Sequence, residues 1–153
     1  MVLGSIFIAP EWKVRTFWYN YFMNDDLKKI IESSSFVVHE GKFVYTKVKT
    51  APEINKHFLV SKDADEITVV TKEENLTEID VIERNKDNYS LIELKVSVPF
   101  YSVGFLATVS SEIAKLGMNI LIISTYSKDY IMVRIEHTEK AIQTLTSLGF
   151  SKK

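Results

Sequence analysis

The chain has 153 residues, of which 46% are apolar and 25% are charged, close to the average for globular proteins. This length suits one compact unit or two small halves and excludes a large multidomain enzyme. The formal net charge of −1, from 19 basic and 20 acidic residues, provides no basic surface for nucleic acid or for an anionic membrane.

The lack of cysteine excludes disulfide scaffolds, thiolate metal sites and cysteine nucleophiles. The histidines, His39, His57 and His137, lack the spacing that places two imidazoles on one metal ion, so no metal site is expected. The first ten residues do not read as a signal peptide, and no apolar run reaches the roughly 20 residues that span a bilayer. We therefore expect a cytoplasmic protein that makes no membrane contact.

The first 35 residues differ in pattern from the rest of the chain. Bulky residues recur at helical spacing from 14 to 31, and an Asn-Asp-Asp cluster at 24–26 is a good helix start. We expect one bent helix or two short ones in this extension. Its aromatic stripe, which includes Phe17, Trp18 and Tyr21, is expected to pack on the same chain, although it could also mark a partner surface.

Residues 36–88 are predicted to form a first small α+β unit. Residues 43–48 alternate as a strand does, and Ala51-Pro52 opens a short helical turn that runs to Lys56. Residues 58–61 and 66–71 flank a polar turn and predict a hairpin. The predicted order is strand, short helix, strand, strand.

Residues 89–153 repeat this order with stronger signals. The apolar patterns predict strands at 90–98, 119–125 and 130–136. They also predict a helix at 102–116 with Leu106, Val109, Ile113 and Leu116 on one face, ended by Gly117. A second helix at 138–148 is expected to be capped by Thr138 and ended by Gly149. The run at 119–125 is nearly all apolar, which favours a strand that is central or buried on both faces.

This order is typical of the split βαβ, or ferredoxin-like, plan. The predicted fold class is therefore α+β: two ferredoxin-like (βαββαβ) units with antiparallel sheets and helices on one face, after an N-terminal helical segment.

Catalytic motifs are missing from the sequence. It has no nucleophile elbow, P-loop, dinucleotide fingerprint or zinc-protease motif, and its carboxylate pairs lie in polar stretches that read as solvated turns. We expect no enzymatic activity and no cofactor. Residues 130–136 also lack the glycine and the aromatic pair of an RNA-recognition motif, so RNA binding is not expected.

One pair of loops has the polarity of a ligand site. Gly104 lies at the start of a predicted helix, where free backbone N–H groups and a partial positive charge suit a carboxylate. Asp129 lies in the turn between two predicted strands and carries the opposite sign. If both lie at one end of the sheet, they could bind the two ends of a zwitterion. The alternative is that Gly104 serves helix packing and Asp129 only closes a hairpin.

These loops also resemble a known family. The runs Gly-Phe-Leu-Ala at 104–107, Ile-Ser-Thr-Tyr at 123–126 and Asp-Tyr-Ile-Met-Val at 129–133 are similar to those of tandem ACT-domain proteins. That family includes the cytosolic arginine sensors of animals (CASTOR-like proteins) and their small prokaryotic relatives. The resemblance covers roughly residues 36–150 and is weaker in the first half.

The resemblance implies a non-catalytic regulatory protein that holds an amino acid between its two ACT-like units. It implies ligand contacts from both units, at Glu66, Thr68 and Val69 in the first and at Val103, Gly104, Phe105, Leu106, Ser124, Thr125 and Asp129 in the second. A homodimer is expected because exposed strand edges favour pairing, and a regulated protein partner is a further expectation. The alternative function is a ligand-free module for protein interaction or dimerisation.

Overall fold

A computed structural model describes residues 25–96 and 102–153 of the chain. Within these residues, three α-helices and nine β-strands form, with all the strands in one sheet. The helices are α1 (Asp25–Glu32), α2 (Phe105–Lys115) and α3 (Thr138–Leu148). The strands are β1 (Ser35–Val38), β2 (Phe43–Val48), β3 (Leu59–Lys62), β4 (Ile67–Lys72), β5 (Val81–Arg84), β6 (Tyr89–Lys95), β7 (Leu121–Ser124), β8 (Asp129–Arg134) and β9 (Ser151–Lys152).

The sheet consists of two half-sheets. The first half-sheet has the strand order β5-β2-β4-β3, with all pairs antiparallel. The second half-sheet has the order β9-β1-β6-β8-β7, in which only the β1–β9 pair is parallel. Among the described strands, the two half-sheets are joined at one residue pair, Phe43 of β2 with Tyr89 of β6.

The two half-sheets repeat one another in hydrogen-bond register. Strand β2 pairs with β4 as β6 pairs with β8, so that Val48 opposite Ile67 corresponds to Leu94 opposite Asp129. Strand β3 likewise pairs with β4 as β7 pairs with β8. Strand β5 corresponds to β1, which takes the fourth position of the second half-sheet although it precedes the first half-sheet in the chain. The predicted α+β class with two ferredoxin-like units is confirmed.

Helices cover one face of the second half-sheet. The spacing of Leu27 and Ile31 places both on the buried side of α1, and Val109 and Ile113 do the same for α2. All three helices contribute to one apolar cluster with β1, β6 and β8, which confirms that α2 and α3 pack on the same face. The fully buried sheet residues of this cluster are Phe36, Ile92, Leu94, Ile131 and Val133.

The opposite face of the second half-sheet packs against the first half-sheet. Because side chains alternate along a strand, Leu91 and Met132 point away from the helices and join a second apolar cluster with Val70 of β4. The Phe58 and Tyr130 rings meet edge to face with centroids 4.8 Å apart. The contact between the half-sheets is therefore apolar and aromatic.

The helical segments that connect the strands of the first half-sheet are shorter than those of a complete ferredoxin-like unit. The connections after β2 and β4 are 3-10 turns, Ile54–Lys56 and Glu73–Glu78, in the places where the second half-sheet has α2 and α3. The predicted helical turn ending at Lys56 is thus found as a 3-10 turn. The predicted strand and hairpin of this unit are found as β2, β3 and β4, whereas β5 was not expected from the sequence.

Three local predictions are wrong. Strand β7 is not central: it pairs only with β8 among the described residues, and Ile122 is 40% exposed. Thr138 does not cap α3, because its hydroxyl contacts Ser90 Oγ and donates to the Ile135 carbonyl. Leu116 is 44% exposed, because the buried side of α2 includes Thr108 instead. The expectations for residues 14–24 and for strand positions 97 and 98 lie outside the described residues.

Candidate functional site

A cavity of about 360 Å³ lies where the start of α2 meets the turn between β7 and β8. This position follows from the topology, since β8 runs antiparallel to β6 and therefore begins beside the end of β6, from which the chain continues towards α2. The lining residues are Ser102, Gly104, Phe105, Leu106, Ala107, Ser124, Thr125, Tyr126 and Asp129. The two loops singled out from the sequence thus share one cavity.

The start of α2 is the electropositive end of the cavity. Gly104 precedes the first helical residue with φ +83°, a left-handed conformation that glycine adopts readily. The Phe105 amide donates to the Ser102 carbonyl, whereas the next amides of a helix have no acceptor in a preceding turn. Here those amides belong to Leu106 and Ala107, both of which line the cavity. Together with the helix dipole they favour an anion.

Asp129 is the acidic end of the cavity. It is the first residue of β8, it is 9% exposed, and Ser124 Oγ donates a 2.6 Å hydrogen bond to its Oδ1. The turn before it is closed by the Thr125 amide, which donates to the Lys128 carbonyl at 2.8 Å. A carboxylate held in this way presents a fixed negative charge to the cavity.

Some of the predicted contacts are not brought to this cavity. Val103 precedes Gly104 but is 91% exposed and does not line the cavity. Glu66, Thr68 and Val69 lie in and before β4; Glu66 pairs with Lys47 at 3.1 Å, and the Val69 side chain is fully buried. None of these three lines the cavity, whose described lining residues all belong to the second half of the chain.

Three lining residues were not predicted as contacts. Ala107 and Tyr126 belong to the motifs noted in the sequence, and Ser102 is two residues before Gly104. The signal for Ala107 is its place as the third helical residue, where an amide has no acceptor in a preceding turn.

A further charged cluster lies on the opposite face of the same strands. Glu93 is 4% exposed and faces Tyr130 across the β6–β8 pair. His39 Nε2 lies 3.0 Å from its Oε2, and Lys128 Nζ lies 2.8 Å from its Oε1. Burial would raise the pKa of Glu93, but the contacts that Lys128 and His39 make with it, together with the positive charges of Lys128 and Lys95, outweigh burial and hold that pKa below its usual range. The sequence signal was an acid inside the apolar run of β6.

Comparison with known families gives one match, which lies mainly in the second half of the chain. Residues 85–147 match the ACT domain family. This region includes the whole cavity. The comparison with curated proteins gives no match.

Solved structures share the fold at low sequence identity. A Vibrio cholerae protein of unknown function, described as a possible transport protein, is 21% identical, with a TM-score of 0.68 over 81% of this chain and 96% of that chain. Aspartate kinase from Clostridium acetobutylicum, described as an allosteric enzyme, is 12% identical, with a TM-score of 0.55 over 74% of this chain and 34% of the kinase. The regulatory subunit of aspartate kinase from Thermus flavus is 12% identical, with a TM-score of 0.50 over 74% and 96%. The chain thus shares its fold with these proteins.

No helix within the described residues is both long enough and apolar enough to cross a membrane.

Proposed function

We propose that this protein is a non-catalytic regulatory ACT protein that binds a free amino acid in the cavity between the start of α2 and the β7–β8 turn. The observation that carries the proposal is the polarity of this cavity, with helix amides at one end and Asp129 at the other. A volume of about 360 Å³ is near the lower end for small-molecule sites, which suits an amino acid better than a nucleotide.

The amino-acid carboxylate would accept hydrogen bonds from the Leu106 and Ala107 amides. Gly104 has no side chain to obstruct the approach of the ligand to this backbone, and the helix dipole adds a favourable charge interaction. The cationic end of the ligand would then meet Asp129, which Ser124 already orients. The ligand would exchange its contacts with water for charge-assisted hydrogen bonds at both of its ends, and such bonds are stronger than neutral hydrogen bonds.

The organisation of the rest of the chain is part of the same proposal. We propose that residues 36–88 are a first ACT-like unit and 89–153 a second, with residues 1–35 as an extension. Strand β1 pairs with β6 and so belongs to the second half-sheet. The repeated register of the two half-sheets supports this division. It also supports a tandem arrangement like that of the arginine sensors. A ligand contact by Glu66, Thr68 or Val69 stays a prediction.

A ligand-free interaction module is the second candidate. Val103 and Tyr126 are 91% and 86% exposed beside the cavity, and the neighbouring β7 lies at an edge of the described sheet. Exposed apolar side chains beside a strand edge are typical of an association surface, and a homodimer would use them.

A thermal-shift screen against the twenty amino acids distinguishes the two candidates. A bound amino acid at a hundredfold excess over Kd stabilises the fold by about 2.7 kcal/mol, which for a chain of this size raises Tm by roughly 5 to 10 °C. For the amino acid with the largest shift, its carboxamide derivative lacks the carboxylate and should give little shift. If no amino acid at millimolar concentration raises Tm, the proposal of ligand binding is wrong.

A further inference from the structure

We infer that Glu93 is a positioning residue for the amino-acid site: from the opposite face of the sheet it holds Lys128, and through Lys128 it fixes the turn that presents Asp129. This inference rests on the function proposed above. Glu93 itself does not line the cavity.

The two faces are connected through consecutive residues. Asp129 pairs with Leu94, and Tyr130 pairs with Glu93, so alternation places Asp129 on the helix-covered face and Glu93 on the other. Lys128 immediately precedes Asp129 and lies in the turn itself. A contact made by Lys128 therefore acts on the backbone that carries the cavity carboxylate.

Lys128 is held at both its backbone and its side chain. Its carbonyl accepts hydrogen bonds from the Thr125 amide at 2.8 Å and from the Thr125 hydroxyl at 3.0 Å. Its Nζ lies 2.8 Å from Glu93 Oε1. The turn is thus closed locally by Thr125 and anchored to β6 by an ion pair.

The burial of the Glu93 carboxylate favours its contact with Lys128. Its side chain is only 6% exposed, and an ionised carboxylate in such a position needs paired cations. His39 lies 3.0 Å from this carboxylate and directly follows β1, and Lys95 lies 3.8 Å from it at the end of β6. Neither residue belongs to the β7–β8 turn. Lys128 is the paired cation that lies in the β7–β8 turn, so its ion pair with Glu93 holds this turn against β6.

The first half-sheet offers an internal comparison. By register, Lys47 corresponds to Glu93, and the residue before Ile67 is Glu66, which corresponds to Lys128. These two also pair, at 3.1 Å, but with the charges reversed and with 37% and 40% of their side chains exposed. In the first half-sheet, the residue that follows Glu66 is Ile67, which corresponds by register to Asp129 in the second half-sheet. The pair is therefore buried in the half of the chain that carries the cavity carboxylate and solvated in the other half.

Hydrogen exchange in the ligand-free protein tests the anchoring directly. In Glu93→Gln and in Lys128→Met, the Thr125 amide should exchange about tenfold faster relative to the Lys49 amide, which donates to Asp80 in the first half. Lys128→Arg keeps the charge and should exchange as the wild type does. Lys47→Gln breaks the corresponding pair and should leave Thr125 unchanged. Unchanged Thr125 exchange in both Glu93→Gln and Lys128→Met overturns the inference.

Calorimetric titration with L-arginine and with L-lysine tests the link to binding. Glu93→Gln and Lys128→Met should each raise Kd about tenfold, the double variant should be no weaker than either, and Lys128→Arg should restore binding. Wild-type Kd values in the variants, despite faster Thr125 exchange, also overturn the inference. If the wild-type protein binds neither probe, nor any amino acid in the thermal screen, the proposed function fails, and the exchange result alone decides whether Glu93 anchors the turn.

Discussion

Replacing Asp129 by asparagine separates the role of its charge in binding from its role in the fold. The Ser124 hydroxyl donates to Asp129 Oδ1 at 2.6 Å, so Asp129→Ala would leave that hydroxyl without its acceptor and cost about 1 to 3 kcal/mol. Asparagine keeps an acceptor oxygen and loses only the charge. The Tm of the ligand-free Asp129→Asn variant should therefore stay within about 4 °C of the wild type, since a loss near 1 kcal/mol corresponds to roughly 2 to 4 °C.

The effect on binding should be much larger. A hydrogen bond to a charged group is worth about 1.5 to 3 kcal/mol, so losing it weakens amino-acid binding by roughly 10- to 150-fold. At a concentration of a hundred times the wild-type Kd, a hundredfold weaker variant is stabilised by only about 0.4 kcal/mol instead of about 2.7 kcal/mol. The thermal shift should then fall from roughly 5 to 10 °C to about 1 to 2 °C.

Differential scanning fluorimetry across an amino-acid titration measures both quantities. Asp63→Asn is the matched control, because Asp63 lies in the corresponding β3–β4 turn and accepts bonds from the Asp65 and Glu66 amides. It should leave the ligand-induced shift intact. An undiminished shift in Asp129→Asn would refute the assignment of Asp129 to the cationic end of the ligand.

Three further outcomes are expected. Gly104→Ala and Gly117→Ala should each cost about 1 to 2 kcal/mol in denaturant unfolding, because both positions have a positive φ, of +83° and +73°. Only Gly104→Ala should also weaken amino-acid binding, and equal binding by the two variants would contradict the approach of the ligand to the α2 start. The lowered pKa of Glu93 means that its stabilisation is present above the unfolded pKa of about 4.3 and is lost as the pH falls through the folded value. The stability difference between wild type and Glu93→Gln should therefore shrink as the pH falls below about 4.3, and a constant difference would show that Glu93 does not titrate with folding. Ile31→Ala should cost about 2 to 5 kcal/mol, because Ile31 of α1 is fully buried in the helix-side core; a loss below 1 kcal/mol would show that α1 is peripheral.

The elements were predictable where the signal is local. Helix α2 and strand β8 follow from the spacing of their apolar residues, and the left-handed Gly117 and Gly149 end their helices as expected. The meeting of Gly104 and Asp129 also follows from local order, since a strand that returns antiparallel to β6 begins beside the end of β6.

The remainder depends on long-range contacts that periodicity does not encode. Strand β5 is exposed along its whole length and so lacks an apolar pattern. Strand β7 has the apolar run of a central strand but lies at an edge, where Ile122 is exposed. The burial of Glu93 required knowledge of its neighbours, because His39 and Lys128 are distant in sequence and meet it only through strand pairing.

The position of β1 has a consequence for how the chain folds. Its pairs with β6, such as Ser35 with Lys95, join residues about 60 positions apart, and the whole first half-sheet lies between them in sequence. Contacts of such large separation require closure of a long loop, which slows folding. The second half-sheet therefore cannot form completely until β1 has paired with β6. The two halves should accordingly unfold in one cooperative transition, and a fragment that starts at β6 would expose the backbone edge that β1 covers.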